Sequence, residues 1–222
     1  MTMFQTSKLL PSSLLIIMLS VLLSGCESTY YSALEEVGYH KRDILIDRIE
    51  EAQEAQVEGQ EQFKSALEQF KSVVNFDGGE LEEVYQQLND EYESSVDAAE
   101  EISNRIESVD SVANALFDEW SDELGEYTNA NLRRDSERKL KETKRRYKNL
   151  LSAMRKTEKS IDPVLNTLRD NTLYLKHNLN ARAISSLKNE LGTVNKNVTA
   201  LISNMEQAIK ESDAFIKELK QG

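Results

Sequence analysis

The apolar residues of this chain recur every three or four positions over stretches of some forty residues, with almost nothing to interrupt them. From Leu81 through Leu88, Ile102, Ile106, Val109, Leu116, Trp120 and Leu124 to Tyr127, the seam advances 46 residues in 13 steps, or 3.54 per step. A strand would alternate by twos, whereas this spacing draws one stripe along one helix, close to the 3.5-residue repeat of left-handed coiled coils. Ile184, Leu187, Leu191, Val194, Val198, Leu201, Met205, Ala208, Ser212, Phe215 and Leu219 repeat the pattern over 35 residues in 10 steps. With two prolines and eight glycines in 222 residues, few points can stop a helix. Long helices follow, each with an apolar stripe that needs covering.

Two further segments supply the cover, one from about Tyr30 to Val74 and one from about Leu132 to Asn178. The intervening stretches "NFDGGE" (75–80), "GEYTNAN" (125–131) and "HNLNA" (177–181) carry turn residues. Such short connections place successive helices antiparallel. The expected fold is all-α, an elongated antiparallel up-down four-helix bundle of coiled-coil type occupying residues 30–222. Asp162 before Pro163 allows a kink or a restart in the third helix, and the apolar phase that continues through it favours the kink. The thin apolar seam of "AQEAQVEGQEQ" (52–62) predicts loose packing in the first.

Charge gives a separate prediction of which helices lie side by side. Residues 80–126 hold 16 acids and one base, whereas 132–159 hold 12 bases and 4 acids. Flanking one short turn, these blocks should pair. The basic run "RRDSERKLKETKRRYK" could otherwise suggest nucleic-acid binding, but its acidic neighbour argues against that reading and no nucleic-acid partner is expected.

The amino-terminal stretch points to a compartment. Lys8 precedes an apolar core from Leu14 to Leu23, and Ser24 and Gly25 are small residues ahead of the chain's one cysteine, Cys26. That is the layout of an export signal over residues 1–25. A membrane-spanning helix would need about 20 apolar residues, and Pro11, Ser12 and Ser13 interrupt a shorter run. Leu23-Ser24-Gly25-Cys26 resembles the bacterial lipobox, which implies that the Cys26 thiol receives diacylglycerol, that the chain is cut before Cys26, and that the new amino terminus is acylated with a palmitate-type chain. Residues 26–29 would then be a tether to the membrane. Glu27, not Asp, follows the cysteine, so the lipoprotein pattern implies the outer membrane, with the chain facing the periplasm.

The phrases "HKRDILIDRIE", "KSALEQFKSVVNFDGGELEEVYQQLNDEYE", "ALFDEWSDEL", "LRRDSERKLKETKRRY" and "DNTLYLKHNLNARAI" together resemble a proteobacterial lipoprotein family catalogued as domain of unknown function 2959. The resemblance implies a helical lipoprotein and assigns no activity to any residue.

Reaction chemistry is sparse. His40 and His177 are the two histidines, and in the expected bundle they lie at opposite ends, so they cannot share a metal needing three or four converging ligands. No cofactor or metal is expected, and no enzyme activity. Asn197-Val198-Thr199 matches a glycosylation triplet, but helical phase makes Val198 a seam residue. The favoured reading is a noncatalytic structural, spacer or partner-binding lipoprotein. A binding module for lipid or another small hydrophobe, resting on the thin 52–62 seam, and a carboxylate-based cell-wall hydrolase are the alternatives; oligomeric state is left open. If Cys26 is at the membrane, the turns at 75–80 and 177–181 meet at the far end. Phe76, Asp77, Tyr174, His177 and Asn178 there form the candidate site for an envelope protein partner. The competing expectation is that Phe76 caps the core and the asparagines terminate helices.

Overall fold

A computed structural model describes residues 40–221, which fold into four helices with no strand among them. They are α1 (Lys41–Val74), α2 (Leu81–Glu123), α3 (Ala130–His177) and α4 (Ala181–Gln221). The expected signal, Leu23–Cys26 lipobox, tether and first turns from Tyr30 lie outside the described residues. At 1.5 Å per residue, the 48 residues of α3 span roughly 70 Å.

The turn residues act as the sequence suggests. The Asn129 side chain accepts hydrogen bonds from the backbone N–H groups of Asn131 and Leu132, and Asn180 Oδ1 does the same for Arg182 and Ala183. These bonds satisfy donors that open the helix without intrahelical partners. Between α1 and α2, Gly79 adopts a φ of +119°, a conformation that side chains disfavour.

Side-chain pairs fix the topology. Lys41 Nζ reaches Glu119 Oε1 at 3.0 Å and Gln69 Nε2 reaches Gln87 Oε1 at 3.1 Å, so α1 and α2 run antiparallel. Trp120 pairs with Ser136 and Ser103 with Glu158 across α2 and α3. Tyr147 and Phe215, with ring centroids 6.0 Å apart, and Asn197 with Thr167 join α3 to α4. Gln53 donating to Ile209 O at 3.1 Å closes α4 onto α1. Each helix therefore packs on two antiparallel neighbours around one core.

Two expectations need correction, and one alternative is removed. The seam of α2 drifts: Leu88, Ile102, Ile106, Val109 and Ala113 of the expected seam are buried, but further along burial is shared with Val112 and passes to Phe117, while Leu116 and Trp120 are half-buried and Tyr127 is exposed beyond the helix. A straight helix has 3.6 residues per turn, so a repeat near 3.5 rotates off the contact line by about 20° per heptad. Pro163 does not break or restart α3, which runs hydrogen-bonded through it, and Asp162 caps nothing. The Pro163 ring is exposed while Ile161, Val164 and Leu168 are buried around it, so packing carries the helix past the one missing N–H. Finally, the 52–62 stretch is close-packed rather than loose. Ala52, Ala55, Gln56 and Gly59 are all buried, and a methyl placed on Gly59 would lie 2.7 Å from Ile102 Cδ1 and 3.3 Å from Met205 Cε. Small residues there bring helices together, which removes the observation on which the small-hydrophobe reading stood.

The acidic and basic blocks do lie side by side, but few of their charges touch. Arg155 to Asp110, at 3.8 Å, is the one ion pair found between α2 and α3 among the described residues. The other paired bases of α3 find acids on their own helix or on α4, as Arg146 does with Glu142 and Glu218.

Candidate functional site

The shared register sets both the 75–80 turn and the 178–180 turn at one end of the bundle, with the α2–α3 turn at the other. The five candidate residues divide once placed. Phe76 is half-buried and packs against the core, and Asn178 Nδ2 donates to Tyr174 O at 2.9 Å, closing the last turn of α3. Both side chains thus have structural work. Asp77, Tyr174 and His177 are exposed.

Two residues that the sequence reading passed over join them. Leu173 and Leu179 are 49% and 40% exposed, beside Tyr174 at 40%. Positions 173 and 177, and 174 and 177, are neighbours on a helix surface, so Leu173, Tyr174 and His177 form one face that runs into Leu179 in the following turn. Leu173 carried a readable signal: it falls out of phase with the buried Leu168, Thr172 and Leu175 of the same helix. A leucine off the seam with no core to enter is a small apolar surface.

A polar network in the middle of the bundle was also invisible in the sequence. Tyr147 OH donates to Asp110 Oδ1 at 2.7 Å, Arg155 bridges Asp110 and Glu158, and Ser103 Oγ donates to Glu158 Oε1 at 2.5 Å. Burial, and then the bond to Asp110, pushes the Tyr147 phenol well above its ordinary range, so it stays neutral. Burial would raise Glu158, but the Ser103 hydroxyl and Arg155 outweigh it and hold the carboxyl below its ordinary value. A neutral phenol and paired carboxylates clamp α2 to α3.

At the opposite end lies a groove of about 870 Å³ lined by α2, α3 and α4, with Arg42 of α1 at its edge. Its apolar walls are Leu116, Trp120, Tyr127, Leu132 and Leu219. Among the described residues, no cluster of three or more His, Cys, Asp or Glu side chains could hold a metal, and no helix is long and apolar enough to cross a membrane.

No curated protein matches the chain. A family model described as "Protein of unknown function (DUF2959)" matches residues 30–219, nearly all of the helical region, and the chain belongs to that family.

Proposed function

We propose that this protein is a lipid-anchored, noncatalytic spacer of the bacterial envelope, tethered through Cys26 and presenting a partner-binding surface at its far end. The observation that carries the reading is where the exposed apolar side chains fall. Of the six large ones among the described residues, Leu173, Tyr174 and Leu179 gather at the end remote from α1's start, and Tyr127 and Leu132 at the end near it. Apolar side chains left on the tip of a rigid scaffold suit a protein contact, and a tip roughly 50 Å from the start of the 34-residue α1 suits a spacer. The lipobox resemblance supports the anchor, and the outer membrane is the expected site.

Two experiments test the halves separately. Cys26→Ala should abolish acyl labelling and release or misprocess the chain; unchanged palmitate labelling and fractionation would sink the anchor. Photocrosslinkers at Leu173, His177 and Leu179 should capture a specific envelope protein that one at Val57 does not. Double substitution of Leu173 and Leu179 by Glu should cut that yield at least tenfold without changing the helical content. Equal capture at Val57, or none at the far end in intact cells, would overturn the partner surface.

A further inference from the structure

The charges that α2 and α3 do not share with each other stand in two rows on one side of the bundle. On α3, Arg134, Lys141, Arg145, Lys148, Lys156 and Lys159 recur at helical spacing, all exposed and opposite the buried Leu140, Tyr147, Met154 and Ile161. On α2, the exposed Asp97, Glu100, Glu107, Asp118 and Asp122 form a second row, turned away from the buried Ile102, Ile106, Val109 and Ala113. None of these charged side chains takes part in an ion pair among the described residues. The two rows run at the same heights. Trp120 meets Ser136, Asp110 meets Tyr147 and Ser103 meets Glu158. By that register Asp122 is level with Arg134, Asp118 with Lys141, Glu107 with Lys148, and Glu100 with Lys156 and Lys159. Both rows face outward from neighbouring corners of the bundle, so level partners in one chain diverge.

We infer that this side of the bundle is a self-association surface, on which a second copy lies parallel to the first with its α3 against α2 and its α2 against α3. Symmetry selects that arrangement. A two-fold axis along the rod keeps every height and sets each acidic row against a basic one, so the same patch serves both copies. A two-fold axis across the rod would instead lay α2 on α2 and α3 on α3, acid on acid and base on base. The chemistry of the rows selects the kind of partner. Asn104, Ser108 and Ser152 stand between the charges, and with no large apolar anchor there, recognition rests on charge placement. A second copy supplies the opposite charges at matching heights without adjustment. The net charge of −12 repels copies at a distance, so attachment depends on the rows meeting closely and not on general attraction. The parallel order sets both far-end surfaces at one end of the pair. It uses neither the lipid anchor nor the far-end partner, so those readings can fail without it.

Full-length chains isolated from cells in detergent test the inference, with a photocrosslinker at Ser152, which lies in the basic row and carries no charge. The parent should give a dimer adduct that maps to 100–111 of an isotope-labelled second copy. Two charge-reversed chains follow, one Glu100→Lys/Glu107→Lys/Asp118→Lys and the other Lys141→Glu/Lys148→Glu/Lys159→Glu. Each alone should give about tenfold less adduct at unchanged helical content, because its meeting rows then carry like charges. Mixing the two should restore the parent yield, since reversed α2 then faces reversed α3. The inference is overturned if the parent gives no dimer adduct, or one that maps to α3 of the second copy or to another protein. It is equally overturned if reversal leaves the yield unchanged or mixing fails to restore it.

Discussion

A methyl group on Gly59 would approach Ile102 Cδ1 to 2.7 Å, so this one position limits how near α1 can come to α2 and α4. Enlarging it to leucine should cost about 1–3 kcal/mol, the usual cost of overpacking a filled core. Urea denaturation of Gly59→Leu measures this directly, and a near-neutral result would restore the loose seam that the sequence suggested. Seam composition was legible in the sequence, but its meaning was not: few large apolar residues can signify either a gap or a close approach, and only the distance between helices separates them. Glu158 gives a second prediction at this scale. Its carboxyl is held below the ordinary glutamate value of 4.5, so the folded state gains from its ionisation above that pH. The gain is lost progressively as pH falls from there through the lowered folded value. Glu158→Gln should therefore show a shallower loss of stability on acidification than the parent; identical acid profiles would show that Glu158 is not coupled to folding.

Between helices, the contrast of an acidic α2 and a basic α3 identified the right neighbours without supplying many ion pairs. With one 3.8 Å ion pair between them, the opposite charges of the two helices act on each other mainly through long-range fields, which salt screens over about 8–10 Å. Reversing the sign of Arg133, Arg134 and Lys139, which form no ion pair with α2, should destabilise the protein more at low ionic strength than at high, as read from thermal midpoints. A salt-independent loss would assign the effect to packing. Element boundaries were largely readable, because Asn129 and Asn180 announce helix starts by chemistry that residue type alone conveys. The continuity of α3 was legible too, because its apolar phase runs through Pro163 by way of Ile161, Val164 and Leu168. The far-end surface was half legible: the turns could be brought together on paper, but whether Phe76 faced in or Leu173 faced out depends on helical phase at the last turn, where a seam drifting by 20° per heptad is least certain.

As a whole, the molecule is a rod whose length follows from residue count, and a spacer's function should follow its length. Removing seven residues at one level from each of the four helices would keep the seams in phase and shorten the rod by roughly 10 Å. The shortened protein should keep its helical content and thermal transition yet lose the far-end crosslinks in cells; full retention of both would argue against a spacing role. The order of the helices carries one more consequence. Because each turn of the chain joins spatial neighbours, three of the four helix pairings are between successive helices, and only the meeting of α1 with α4 joins helices far apart in sequence. Low contact order of this kind corresponds to folding in microseconds to milliseconds. The α1–α2 and α3–α4 hairpins can each condense as soon as both halves are present, leaving little time for an exposed apolar stripe to find a stripe on another chain.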